Sequence, residues 1–200
     1  MRPTITDLKG IGDFQPAYTW DLAFIQFPYA LDSPVSSEDL NIRCTSSGTP
    51  KRADDPININ VRGHKIHQTG VCSYNGSISL QFLEGVDQLI TQFIWEWQEL
   101  CWKTRTGEAV PQADLEATIQ LTRLDRENNP VRVFTLYYVT IADADTGEFS
   151  SSGDTVKPGI SLRYDYFEES NTDAISNVVR GIGTSLNAIK RTARKVLSLF

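Results

Sequence analysis

The run EGVDQLITQFIWEWQELCWK, residues 84–103, is the one long helical signal ahead of the C-terminal tail. At about 100° per residue, Val86, Leu89, Ile90, Phe93, Ile94, Trp97, Leu100 and Cys101 share one broad apolar arc, the spacing of a helix that lies on a core. Trp95 and Trp102, one heptad apart, project almost opposite to that arc, beside Glu84, Gln88, Thr91 and Gln98. Two indoles on the back of a packed helix need cover. Either a loop of the same chain supplies it or a second surface does, and large exposed apolar patches more often mark interfaces.

Working outward, the flanking segments alternate with a period of two, the signature of strands. Val71 to Phe82 feeds into the helix with Ile78, Leu80 and Phe82 on one side. Upstream, Tyr18, Trp20, Leu22 and Phe24 predict one strand, Leu40, Ile42 and Cys44 a second, and Ile57, Ile59 and Val61 a third. Lys51–Pro56 reads as a polar loop. Downstream, Leu115 to Leu124 and Val131 to Ile141 form a strand pair around the polar turn Asp125–Pro130. The second of these carries apolar side chains on both faces, Val133, Tyr137 and Val139 against Phe134, Leu136 and Tyr138. A strand of that kind is buried on both faces, so its outer face needs the helix or another subunit. Asp143 to Ser152 reads as a polar loop, and Gly159 to Phe167 closes the domain with Ile160, Leu162, Tyr164 and Tyr166 aligned. The fold class is therefore α+β, mainly β: a small antiparallel β-barrel or sandwich with one packed helix. Residues 1–13 read as an N-terminal arm, residues 14–169 as the domain, and residues 170–200 as a C-terminal amphipathic basic helical extension.

In that extension Ile175, Val179, Ile182, Leu186, Ile189, Ala193, Val196 and Phe200 recur at steps of four and three, a heptad seam. Gly181 and Gly183 each cost about 1 kcal/mol relative to Ala, so the segment is expected to form by docking. It would lie on its own domain, on a partner, on a second helix or, through its basic face, on a membrane. Docking on its own ring or on a stacked protein is expected over lipid, because the body is acidic. The chain carries a net charge of -6, divided as +4 in residues 171–200 and -10 before them. A body of that sign repels nucleic-acid phosphates.

Chemistry-bearing motifs are scarce. There is no phosphate-binding loop, no nucleophile elbow and no dinucleotide fingerprint. His64 and His67 are three apart, and in a strand that spacing sends them to opposite faces, which disfavours a metal site. Asp143-x-Asp145-x-Gly147 has its glycine one position early for a calcium loop and lacks the downstream Glu. Cys44, Cys72 and Cys101 are odd in number without a C-x-x-C spacing and are expected to be free, mostly buried thiols. The N-terminus lacks a signal-peptide pattern, and the apolar run at residues 22–31 is broken by Gln26 and Pro28. No cofactor, metal or catalytic residue is expected.

The strand at Trp20–Phe27, the segment LNIRCTSSGTP, the run INVRGHKI at residues 59–66, the junction SISLQFLEGVDQLITQFIWEW and the closing strand ISLRYDYFEE, in that order, resemble the tail tube proteins of contractile-tailed bacteriophages, over about residues 14–169. The resemblance implies a virion protein, made in the host cytoplasm, that forms hexameric rings stacked into a hollow tail tube. Its partners would be itself, a sheath protein, a tape-measure protein and baseplate hub or tube-initiator proteins, with DNA passing through the lumen without specific binding and no membrane contact. Tubes of bacteriocins and type VI secretion particles share the fold that the resemblance implies. The subunit interface is expected at Trp95, Trp102, Gln88, Thr91, Phe134 and Tyr138, and tail docking at Ile175, Val179, Ile182, Leu186, Ile189, Val196 and Phe200. The basic tail departs from the shortest members of the family, so a specialised tube-initiator ring at the baseplate is an alternative. A small-ligand-binding barrel or an enzyme is the alternative of another class.

Overall fold

The computed structural model describes residues 15–74, 76–147 and 155–171. The N-terminal arm and the heptad tail, with all its expected docking residues, lie outside the described residues. Two compact units are distinguished. The larger comprises Asp21–Leu121 and Phe134–Glu168, and the described part of the smaller is residues 15–20, 122–133 and 169–171.

Among the described residues, nine strands and three helices follow one another. β1 (Trp20–Gln26) leads to α1 (Ser37–Arg43), β2 (Cys44–Ser47), the long hairpin β3 (Arg52–Val61) and β4 (His64–Tyr74), and β5 (Ser77–Phe82). Then come α2 (Leu89–Cys101), the short α3 (Gln112–Leu115), β6 (Ala117–Leu124), β7 (Pro130–Asp145), β8 (Gly159–Arg163) and β9 (Tyr166–Asn171). Seven strands form one sheet in the order β1-β6-β7-β8-β5-β2, with β9 also on β7, while β3 and β4 form a sheet of their own. The mainly β class with one substantial packed helix is as expected. Among the described residues no pairing joins β1 to β2, so the sheet is an open path and the closed barrel is not found.

Period-two patterning places the core of the larger unit. Ile78, Leu80 and Phe82 of β5 are buried while Ser77, Ser79 and Gln81 between them are exposed, and Ile160 and Leu162 of β8 face the same way. The helix contributes Ile90, Phe93, Ile94 and Trp97 to the core, each fully buried. Phe24, Phe27, Phe93 and Trp97 form one aromatic cluster with centroids 5.1–6.3 Å apart, and the indole N–H of Trp97 donates to the Leu115 carbonyl at 3.2 Å. A buried indole thus keeps a partner for its polar edge, as burial requires. Val86 departs from the expected apolar arc, being fully exposed. The helix begins only at Leu89, after Gln88 turns the backbone left-handed at φ 51°.

Three segments correct the sequence expectations. Leu40 and Ile42 do not belong to a strand: residues 37–43 are α1, with Ile42 pointing out to solvent and Leu40 buried, and the expected strand begins only at Cys44, as β2. The decisive signal is Ser36-x-x-Asp39, a reciprocal capping box in which Ser36 Oγ accepts from the Asp39 N–H at 3.1 Å and Asp39 Oδ2 accepts from the Ser36 N–H at 3.2 Å. The expected loop Lys51–Pro56 is, from Arg52 on, the first half of β3. The strand Val131–Ile141 extends to Asp145, and part of its two-faced pattern is a phase change. Leu136 and Val139, three apart, are both buried because Tyr138 between them adopts φ 56°.

In the smaller unit, the turn between β6 and β7 is held by Asp125, whose carboxylate accepts from the backbone N–H groups of Glu127 and Asn129, both at 2.8 Å. Those bonds, Asn129 first, lower its pKa. Arg132 pairs with Glu169 at 2.9 Å.

Candidate assembly surfaces

The residues expected at an interface are distributed unevenly. Trp95 and Trp102 are 59% and 64% exposed, as the helical spacing requires of side chains off the core arc. Trp102 sits one residue past the last turn, where the backbone is extended, and so leaves the helical direction. Gln88 is exposed. Thr91 is not free for a partner: its hydroxyl donates to Glu84 Oε2 at 2.6 Å and its N–H to the same oxygen at 2.7 Å. Phe134 is also corrected, since it is buried within the single chain, its ring 6.2 Å from that of Phe167.

Glu84 explains how the helix starts without an N-cap side chain at Gln88. Its carboxylate accepts from the N–H groups of Ile90 at 3.3 Å and Thr91 at 2.7 Å, which a helix N-terminus otherwise leaves unpaired, and from that of Gly85 in the preceding loop at 3.0 Å. Negative charge is also favoured there by the helix dipole. Arg43 holds the same loop from α1, bidentate on Asp87 at 3.0 and 2.7 Å and 3.8 Å from Glu84. That ion pair lowers the Asp87 pKa and raises that of Arg43.

A second surface gathers tyrosines. Tyr137 stacks on Tyr166 at 4.9 Å, half-exposed Tyr138 lies 5.9 Å from the same ring, and the Tyr137 hydroxyl donates to Glu168 at 3.2 Å. Desolvation first, then the Glu168 charge, push the Tyr137 phenol above its ordinary pKa. A non-glycine residue at positive φ is uncommon and costs of order 1 kcal/mol or more. Here it turns Tyr138 outward from a strand whose neighbours are buried.

The third surface is the β3–β4 ribbon, which sequence reading divided into a loop and weaker strands. All ten residues of β3 are exposed, so no burial pattern betrays its length. A two-residue turn, Arg62-Gly63 at φ 48° and 81°, closes it, and both positive values are those of a type I′ turn. At the bulge between Asp55 and Ile57, Gly70 is required, since a β-carbon there would lie 1.8 Å from the Asp55 carbonyl oxygen. At its root the Arg52 guanidinium lies 5.7 Å from the ring centroids of both Tyr74 and Phe167.

Among the described residues no group of three or more His, Cys, Asp or Glu comes together. His67 and His64 pair across the ribbon with Asn58 and Val61 and face opposite sides. A cavity of about 330 Å³ lies along β2, β5, β7 and β8, walled by polar Ser46, Ser79, Gln81, Asp143 and Asp145 and by apolar Leu80, Ala144 and Ile160 among others. Cys44 is half-buried and Cys72 exposed, contrary to the expected burial of the thiols. No helix among the described residues is long and apolar enough to cross a membrane.

No family model and no curated protein sequence matches this chain. Solved structures do. The chain is similar to one in the PVC sheath/tube terminator of an extracellular contractile injection system in the extended state, with TM-score 0.59 and 11% identity, covering 80% of this chain and 99% of that one. It is similar to one in the PVC sheath-tube complex in the extended state, with TM-score 0.57 and 12% identity over 84% and 99%. A third likeness is to a chain of the anti-feeding prophage baseplate, with TM-score 0.51 and 14% identity over 80% and 99%. At such identities the shared property is the fold, and it is the tail-tube fold that the sequence resemblance implied.

Proposed function

We propose, with the tail-tube fold as premise, that this chain is a structural, non-catalytic subunit that forms hexameric rings, and that these stack into the tube of a contractile tail. The observation that carries this reading is the fold itself, matched over 99% of the length of chains from tube-containing contractile assemblies. Exposed Trp95 and Trp102 and the tyrosine surface at Tyr138 support it, as contact sites that a monomer leaves uncovered. In this reading a sheath protein surrounds the tube, a baseplate hub or tube-initiator ring anchors it, and a tape-measure protein and then DNA occupy a lumen whose wall does not grip them. The particle is a virion tail assembled in the host cytoplasm. The likenesses to baseplate and terminator assemblies favour one second reading, a single specialised ring at an end of the tube.

Negative-stain electron microscopy and light scattering of the full-length protein test the proposal. Sixfold rings, alone or stacked, are the expected result. A protein that stays monomeric at all accessible concentrations overturns it. Counting copies per purified tail separates a repeating subunit from an end ring.

A further inference from the structure

Helix α2 has an outward face that the described residues leave uncovered. Trp95 is 59% exposed, and at about 100° per residue Gln92 and Glu99 lie beside it with Glu96 at the border. Trp102, one residue past the last turn, is 64% exposed. Every charge on this helix is negative, since Leu89–Cys101 contains Glu96 and Glu99 and no Lys or Arg. Among the described residues, Oε2 of Glu96 is buried with no hydrogen-bond partner, while its Oε1 accepts from Gln92 at 2.8 Å. A carboxylate oxygen held in that state costs free energy that an arriving cation offsets. The face therefore suits an occupant that is apolar along a stripe and positively charged beside it.

Resting on the ring-forming reading above, we propose that this face of α2 is covered by the C-terminal segment, residues 172–200, of a second copy of this chain. The sequence of that segment meets both demands. Ile182, Leu186, Ile189, Val196 and Phe200 belong to its apolar seam, and residues 174–200 hold Arg180, Lys190, Arg191, Arg194 and Lys195 with no Asp or Glu. At helical spacing Lys190 and Arg194, four apart, border the seam on one side. A chain that carries both a face and the segment that fits it makes a head-to-tail contact, which closes into a ring or runs from ring to ring. Opposite charge accelerates the encounter, and burial of the indoles then retains it. The segment lies outside residues 14–169, which carry the resemblance to tail tube proteins, so this contact is an addition to the fold and not a property of it.

Assembly of the full-length protein is followed by light scattering, with acrylamide quenching of tryptophan emission reporting how far the exposed indoles are covered. In the wild type the indoles are expected to become protected as concentration rises. Two charge reversals are compared with it, Glu96→Lys with Glu99→Lys on the face and Lys190→Glu with Arg194→Glu on the segment. Each alone is expected to slow assembly about tenfold or more at low salt and to leave the indoles open to the quencher. Mixed in equal amounts, the two variants offer each other opposite charges, and wild-type assembly and protection are expected to return, which only a contact between copies allows. The segment reversal leaves the body untouched, so its effect decides the matter alone if the face reversal lowers the thermal unfolding midpoint. Reversals that assemble at the wild-type rate with the indoles protected overturn the docking and leave the ring reading intact. A monomeric wild type overturns both. Indoles already protected in the monomer, or impaired reversals that mixing does not restore, overturn the assignment to a second copy. Uptake of the wild type by phosphatidylserine vesicles, with assembly indifferent to the segment reversal, overturns it as well.

Discussion

Replacing Glu84 by alanine would leave the N–H groups of Gly85, Ile90 and Thr91 without their acceptor at once, in a side-chain environment only 6% exposed. Loss of a cap costs about 1 kcal/mol and a buried unsatisfied donor about 1–3 kcal/mol, so Glu84→Ala is expected to lower stability by about 2–3 kcal/mol in urea unfolding. A loss below about 0.5 kcal/mol would show that water replaces the carboxylate. Cys44 offers a pH test. Desolvation pushes its thiol up to about 12 from an ordinary 9.0. Folding therefore favours the protonated thiol, and the stability it contributes is complete below pH 9.0 and lost as pH rises toward about 12. Alkylation at mildly alkaline pH should label exposed Cys72 first and spare Cys44 until the protein unfolds. Equal rates by peptide mass spectrometry would contradict the burial argument.

Helix α2 shows which parts of an element a sequence displays. Its buried residues Ile90, Phe93, Ile94 and Trp97 and its outward Trp95 follow from the 3.6-residue period alone. Thr91 and Gln88 were not legible, because the start of the helix depends on a carboxylate four residues ahead of Gln88 reaching over the loop. The second half of β3 was legible from alternating Ile57, Ile59 and Val61, but its first half, with Asp54-Asp55-Pro56 and no apolar alternation, was not. In α1, alternating Leu40, Ile42 and Cys44 outweighed Ser36-x-x-Asp39, although the capping box was the better signal. For β7, two-sided burial is real at adjacent Val133 and Phe134, while at Leu136 and Val139 one left-handed tyrosine imitates it. Two changes on α2 separate its faces. Trp95→Ser with Trp102→Ser should leave the folded monomer's unfolding transition within about 1 kcal/mol of wild type while ring formation fails. Trp97→Ala should instead cost about 3–5 kcal/mol, from the emptied aromatic cluster and the lost bond to Leu115. If the double variant unfolds, the two indoles belong to the core; if it assembles normally, they are not at the interface.

At the scale of the whole molecule, charge outweighs any local patch. A protein ending at Glu169 carries about -10, and is expected to show no duplex DNA binding at physiological salt despite Arg62 and Lys65. Salt-sensitive retention in a gel-shift assay would refute an inert channel wall. The open sheet makes a different demand on the molecule. Its two ends are not equivalent: at β1 the N–H groups of Leu22 and Phe24 are already taken, at 2.8 Å each, by Asn41 Oδ1 and Ser37 Oγ of α1. An unpaired strand is a template for indiscriminate zippering, and here two side chains occupy its donors before another chain can. In the ring-forming reading proposed above, freshly synthesised copies would not polymerise from that side, and growth would be left to the surfaces that impose an orientation, as with a brick glazed at one end.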